Sequence, residues 1–143
     1  MVHFRSRAVG VVAFDDDDRI LLVGQYRYTL DRYSWEIPEG GSPLEEDPLD
    51  GAKRELAEET GYTAASWDEL IRFTLSNSVT DEEGVMFVAT DLEEGRADPD
   101  PTEALEVRWV PFAEAVDMVV SGAIHDVMTQ VAILAAARRR RAT

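Results

Sequence analysis

Three glutamates, Glu55, Glu58 and Glu59, stand at i, i+3 and i+4 in a stretch of good helix formers, so a helix there carries all three on one face. Like charges so spaced destabilise an isolated helix unless something cationic sits among them. Several carboxylate oxygens on one rigid element suit Mg²⁺ or Mn²⁺, hard cations that prefer oxygen. Arg54 adjoins Glu55 and precedes Glu58 by four residues, where it can orient or neutralise a carboxylate. A glutamate-rich helix is ordinarily just a solvated face, so the wider spacing has to decide. A second group with chemistry to offer is Arg27, flanked by Tyr26 and Tyr28. It offers a fork for phosphate and rings for stacking, and equally fits a partly buried edge-strand pair. The acidic run from Asp15 to Asp18 lies between two apolar runs and reads as a solvated hairpin turn rather than a metal site. His125, near the start of the last predicted helix, reads as structural.

The elements that must position these groups carry their own signals. Asp47-Pro48 is a helix start, with Asp as N-cap and Pro at the first helical position. Asp50 adds a favourable charge in the first turn, and Gly61 sits where a terminating glycine belongs. Ala52, Leu56 and Leu49 form the apolar stripe of this helix. Upstream, Gly40 and Gly41 follow Pro38, which predicts a glycine-rich loop at which the chain turns, entered by a short strand over 35–37. Strands are predicted over 8–14 and 19–23, the second continuing or followed by 24–28, and over 85–89 and 106–110, with extended segments over 63–66 and 67–75. Residues 30–34, 76–84 and 91–101 read as loops. A helix over 113–121 breaks at Gly122, and a final amphipathic helix covers 123–137. The run Arg138 to Arg141 reads as a solvated tail complementing the helix dipole at a frayed end. Several strands, one central helix and one or two terminal helices predict an α+β fold of three α/β/α layers.

Composition narrows the function classes. At 143 residues, 1–143 is expected to be one domain, without internal repeats or a linker. The chain has no cysteine, so neither a disulfide framework nor thiolate metal ligation is available. The start of the chain does not resemble a signal peptide and no apolar run reaches membrane-spanning length, so a cytoplasmic protein is expected. A formal charge of −15 argues against a general nucleic-acid binder. Divalent cations can still bridge an acidic protein to a phosphorylated small molecule.

The pattern Gly40-x5-Glu46-x7-Arg54-Glu55-Leu56-x-Glu58-Glu59-x-Gly61-Tyr62 resembles the Nudix box, G-x5-E-x7-R-E-U-x-E-E-x-G-U with U aliphatic, and all seven fixed residues match. Seven matches at one start arise by chance with a probability on the order of 10⁻⁸, or about 10⁻⁶ to 10⁻⁵ over every start in the chain. Tyr62 replaces the usual aliphatic residue in the last slot. Gly24-Gln-Tyr-Arg-Tyr28, Trp35-Glu-Ile-Pro-Glu-Gly40 and Val107-Arg-Trp-Val-Pro-Phe-Ala-Glu-Ala115 also look like the ADP-ribose pyrophosphatase branch of that family. The resemblance implies a mixed central sheet between helices. It also implies Mg²⁺- or Mn²⁺-dependent hydrolysis of a nucleoside diphosphate linked to another moiety, with ADP-ribose or a nucleotide sugar favoured.

Carried over residue by residue, the resemblance makes Glu55, Glu58 and Glu59 metal ligands, Glu46 a secondary, water-mediated one, and the Glu39 carbonyl a further donor. Gly40 and Gly41 would let backbone approach metal and substrate, and Arg54 would orient a catalytic glutamate. The general base stays open between Glu103, in a loop able to close over substrate, Glu106 and a box glutamate. Arg27, Tyr28 and Trp35 are candidate substrate contacts, with Phe87 a further candidate to stack a base. Two departures from the ADP-ribose branch are the lack of a proline in 75–82 and of a long N-terminal extension, which in that branch contributes to a homodimer. Other readings on the same fold are a hydrolase of nucleoside triphosphates or dinucleoside polyphosphates, and a silent nucleotide-binding regulator. A regulator would usually have lost box glutamates. A Nudix-type isopentenyl diphosphate isomerase would need the cysteine this chain lacks.

Overall fold

Alternate residues of the valine-rich run near the N-terminus face two different cores, and that alternation lays down the layers. In the computed structural model, which describes residue 3, residues 5–98 and residues 105–141, this run is strand β1 (Ser6–Ala13). Val9, Val11 and Ala13 belong to one buried cluster, Val12 to the other. Strand β2 (Arg19–Arg27) divides the same way, Leu21 facing one side and Ile20 and Leu22 the other. A strand buried on both faces reads as a continuous apolar run, which is why both were legible. The turn between them is closed by Asp15, whose Oδ1 accepts the backbone N–H groups of Asp17 and Arg19 at 3.0 and 2.8 Å. The acidic run is thus the predicted turn.

The remaining elements are β3 (Arg32–Glu36), β4 (Glu39–Pro43), α1 (Pro48–Thr60), β5 (Tyr62–Thr74), β6 (Glu83–Glu94), β7 (Glu106–Pro111), α2 (Phe112–Ser121) and α3 (Val127–Arg141). The β layer consists of a four-stranded mixed sheet, β4-β1-β6-β5, and a three-stranded antiparallel sheet, β3-β2-β7. In the first sheet β1 runs parallel to β6 and antiparallel to β4. Helix α1 packs its Ala52 and Leu56 on one face with Val85, Phe87 and Ala89. Helices α2 and α3 cover the other face through Ala115, Val119, Ala132, Ile133 and Ala136. The expected α+β class and α/β/α layering are met. Among the described residues no helix is long and apolar enough to cross a membrane.

Several boundaries differ from the sequence reading. In the strands long-range pairing overrides a local signal, as where β6 runs on to Glu94, into the predicted loop at 91–101, while the start of the last helix is set by Asp126. Gly40 and Gly41 do not form a loop: they are inside β4, hydrogen-bonded to β1, and neither has a positive φ. The predicted loop at 30–34 gives up Arg32, Tyr33 and Ser34 to β3, which pairs with the end of β2. Residues 62–74 form one long strand, interrupted only by a register shift between Glu69 and Ile71. The last helix starts at Val127 rather than residue 123, and its arginines are not a loose tail. Arg139 donates to the carbonyls of Glu69 and Leu70 at that irregularity, and Arg140 pairs with Asp18 and lies over Phe14 and Phe112.

Candidate active site

Helix α1 begins and ends as its sequence dictates. The Asp47 side chain accepts the Leu49 N–H at 2.9 Å, Pro48 opens the helix, and Gly61 closes it at φ 81° with its N–H on the Ala57 carbonyl. The rotation of the helix is fixed by two contacts. Ala52 and Leu56 are fully buried on the sheet. Gly51 meets β4 so closely that a Cβ there would lie 2.5 Å from Ser42 Oγ.

That rotation turns Glu55 and Glu59 inward. A Cβ on Gly40 would lie 2.3 to 2.5 Å from the Glu55 carboxyl atoms, so only glycine lets this carboxylate rest on the β4 backbone. Glu59 is only 9% exposed, and its Oε1 accepts the Glu39 N–H at 2.9 Å. Its face of the helix is therefore not the solvated surface a glutamate-rich stretch suggests. Glu58 is the outer member, with 46% of its side chain exposed.

Arg54 ties the acidic residues together. Nη1 donates to Glu55 Oε1 at 2.9 Å, while Nη2 donates to Glu46 Oε1 at 2.9 Å and to the Gly41 carbonyl at 3.2 Å. Glu58 Oε2 is 4.0 Å from Nη1. Glu46 also accepts the Ser42 hydroxyl at 2.7 Å. The hydrogen bonds from Arg54 and Ser42 hold the Glu46 carboxyl below its ordinary pKa, keeping it ionised.

Beside this face lies a cavity of about 300 Å³, walled by Glu39, Gly40, Gly41, Glu59, Arg7, Arg27 and Glu82 among others. Arg27 is bound in two places by Glu36, Nε at 3.1 Å and Nη2 at 2.6 Å, and Ser34 donates to the same carboxylate at 2.6 Å. Burial works to raise the Glu36 pKa, but the Arg27 and Ser34 hydrogen bonds outweigh it and the net shift is downward. Glu39 moves the other way. Burial first, then the Asp126 and Glu36 carboxylates, push its pKa well above the ordinary value. Among the described residues these three, Glu36, Glu39 and Asp126, are the acidic groups whose oxygens all come within 4.8 Å of one another. The helix glutamates do not converge in that way. Glu55 lies on the bare Gly40 backbone and Glu59 on the Glu39 N–H one residue before it, and an all-oxygen donor set of this kind fits a divalent ion.

The other sequence candidates are spread more widely. Tyr28 is 87% exposed and packs edge-on to Tyr26, leaving a ring open to solvent. Trp35 already has the Arg108 guanidinium 4.4 Å over its ring and Tyr33 against its edge. Phe87 is ruled out as a stacking surface, because it is buried in the core beneath α1. Glu106 opens β7 and accepts the Tyr33 hydroxyl. Glu103 lies outside the described residues. The sequence reading missed Arg7, Glu82 and Asp126. Of these only Asp126 had a local signal, Asp three residues before Thr129, and it does cap α3: its Oδ2 accepts the Thr129 N–H at 3.0 Å and hydroxyl at 2.7 Å. The Thr129 hydroxyl in turn accepts the Ile37 N–H at 3.1 Å, which ties α3 to the chain entering β4.

Known proteins resemble this chain over most of its length. The ADP-ribose pyrophosphatase of Mycobacterium tuberculosis is 37% identical over 131 residues, covering 90% of this chain and 63% of that protein. That of Bacillus subtilis is 38% identical over 128 residues, 88% of this chain and 69% of the relative. The chain thus spans about two thirds of the length of these relatives. The crystal structure of an ADP compounds hydrolase superposes with a TM-score of 0.87 over 97% of this chain and 75% of that one, at 22% identity, a likeness of fold. The NUDIX domain profile matches residues 4–129, which takes in the Gly40-to-Tyr62 pattern, the strands around it and the start of α3, and the chain accordingly belongs to the Nudix family.

Proposed function

We propose that this chain hydrolyses the pyrophosphate bond of a nucleoside diphosphate linked to another moiety, giving a nucleoside monophosphate and a phosphate monoester. ADP-ribose or a nucleotide sugar is the favoured substrate, since both relatives above are ADP-ribose pyrophosphatases. The observation that carries the reading is Glu55 lying on the Gly40 backbone, pinned by Arg54, with Glu59 beside it.

Glu55, Glu58, Glu59 and the Glu39 carbonyl would hold Mg²⁺ or Mn²⁺, with Glu46 acting through water. When bound, the ion supplies charge neutralisation for the pyrophosphate and an acidified water. The protein's own part is positioning. Arg54 fixes the Glu55 carboxylate through Nη1, so that Glu55 can take a proton from the attacking water. Glu103 and Glu106, the latter at the start of β7, are the competing bases. Glu59 anchors α1 to β4 and so sets the distance between glutamates and backbone. Tyr28 offers an open ring to a base. A small nucleotide rather than a nucleic acid suits a chain of net charge −15.

The test is a panel of ADP-ribose, nucleotide sugars, NADH, dinucleoside polyphosphates and nucleoside triphosphates with Mg²⁺ or Mn²⁺, products being followed by phosphorus NMR. AMP plus ribose 5-phosphate from ADP-ribose, or the corresponding pair from a nucleotide sugar, is expected. Pyrophosphate released from a triphosphate alone, or no turnover at all, would sink the reading.

A further inference from the structure

Among the described residues three buried side-chain atoms have no hydrogen-bond partner: Arg7 Nε, Glu39 Oε2 and His125 Nε2. Buried polar atoms are nearly always satisfied, so each asks for a physical reason. Arg7 and Glu39 are in the wall of the cavity beside Glu59, and His125 is in the wall of a neighbouring cavity of about 390 Å³, with Arg27 lining both.

The two arginines of the first cavity are in opposite states. Arg27 is committed to Glu36 through two hydrogen bonds. The Arg7 guanidinium makes no hydrogen bond or ion pair with any described residue, although Glu39, Glu59 and Glu82 share its cavity. Its backbone is held in register, Arg7 opposite Ser42 and the next residue, Ala8, opposite Gly41, so it projects from the strand beside the Gly40-Gly41 backbone. Space is left there, for a Cβ on Gly41 would meet nothing nearer than Ser6 Oγ at 3.6 Å. A permanently charged fork, partly withdrawn from water and paired with no described residue, is an anion site in waiting. The unpaired Glu39 oxygen in the same cavity makes the arrangement complementary to a ligand of both signs, a phosphate with its divalent ion.

We propose that Arg7 is a phosphate-binding residue, presenting its guanidinium fork to the diphosphate of a nucleoside diphosphate in the cavity beside Glu59. Planar guanidinium and phosphate match in a two-point hydrogen bond, which a lysine would replace only as a point charge. The assignment rests on the reading of this cavity as a pyrophosphate site, and the test separates the two.

Binding of the non-hydrolysable α,β-methylene-ADP is measured by calorimetry in Mg²⁺ for the wild type, Arg7→Ala, Arg7→Gln and Arg7→Lys. Mn²⁺ affinity of each is measured separately by electron paramagnetic resonance. Arg7→Ala and Arg7→Gln are expected to weaken the nucleotide by about 10- to 100-fold, with Mn²⁺ affinity unchanged and part of the loss restored in Arg7→Lys. If Arg7→Ala does not fold, Arg7→Gln, which keeps most of the bulk, carries the comparison. Wild-type affinity in Arg7→Gln overturns the proposal. So does a loss of Mn²⁺ affinity in step with the nucleotide, which would make Arg7 structural, and so does a wild type that does not bind the analogue. Arg7-dependent binding without turnover of any panel substrate would uphold the site and discard only the proposed reaction.

Discussion

Glu59 shows how one side chain can be both structural and chemical. Its Oε1 satisfies the Glu39 N–H, and a glutamine at 59 can do the same with its carbonyl oxygen. Glu59→Gln is therefore expected to melt within about 0.5 kcal/mol of the wild type while losing most of its turnover. Glu59→Ala leaves that N–H unpaired and should cost a further 1–3 kcal/mol or so, read from denaturant titration. Equal stability of the two variants would contradict the hydrogen bond, and full activity in Glu59→Gln would remove Glu59 from the metal set. Glu39 itself makes a separate prediction through pH. Its folded pKa is raised by burial and by the Asp126 and Glu36 carboxylates. A raised carboxyl pKa contributes stability that is fully present below the ordinary value of 4.5 and is lost as pH rises through the folded value. Above the ordinary value the unfolded chain gives up a proton that the buried Glu39 resists losing, so in the metal-free protein this group works against folding as pH rises. Glu39→Gln stays neutral throughout, so the metal-free variant should melt above the wild type near pH 8 and lose that advantage by about pH 4. A difference that persists at the lower pH would show that packing, not charge, is responsible.

At the scale of the element, α1 and β4 act as a pair, and glycine at 40 is what lets them. The atom that a new Cβ on Gly40 would strike is the far end of Glu55, a flexible side chain, not backbone. Gly40→Ala should therefore fold with a loss of no more than about 1 kcal/mol, while pushing Glu55 off Arg54 and lowering turnover about 100-fold, the usual scale for misplacing a reacting group by an ångström. Loss of stability without loss of rate would mean that Glu55 is not where the chemistry happens. Helix α1 was legible in full because everything that defines it is local: the cap at Asp47, Pro48, the Ala52–Leu56 stripe and Gly61. Strand β4 was not, because two glycines after a proline look like a turn until β1 supplies the hydrogen bonds from more than thirty residues away in sequence. The same reasoning covers β3, whose first three residues are polar or aromatic and gain strand character only by pairing with β2. The box glutamates and Arg54 were singled out by their match to the Nudix pattern, whereas Arg7 and Glu82 reach the cavity beside Glu59 only through strand pairing and loop placement, for which the sequence holds no local signal.

For the whole molecule the governing quantity is charge. Twenty-nine acidic against fourteen basic side chains give −15. Self-repulsion of that size lowers the stability of a compact chain, and salt should relieve part of it. A divalent ion held by the helix glutamates would do more, since binding to the folded state adds about 2.7 kcal/mol at a hundred times its dissociation constant. Screening and site binding can be told apart by melting the protein in Mg²⁺ and in NaCl at matched ionic strength. Magnesium is expected to raise the melting temperature beyond the sodium control. The excess should disappear in Glu58→Gln, a residue exposed enough that the substitution itself costs little. If sodium gives the whole increment, or the magnesium excess survives in Glu58→Gln, Glu58 is not a ligand and the acidic face is acting only through its overall field. The second outcome would direct attention to the trio Glu36, Glu39 and Asp126, of which Glu36 is buried and the other two half-buried, as the place where the ion is held instead.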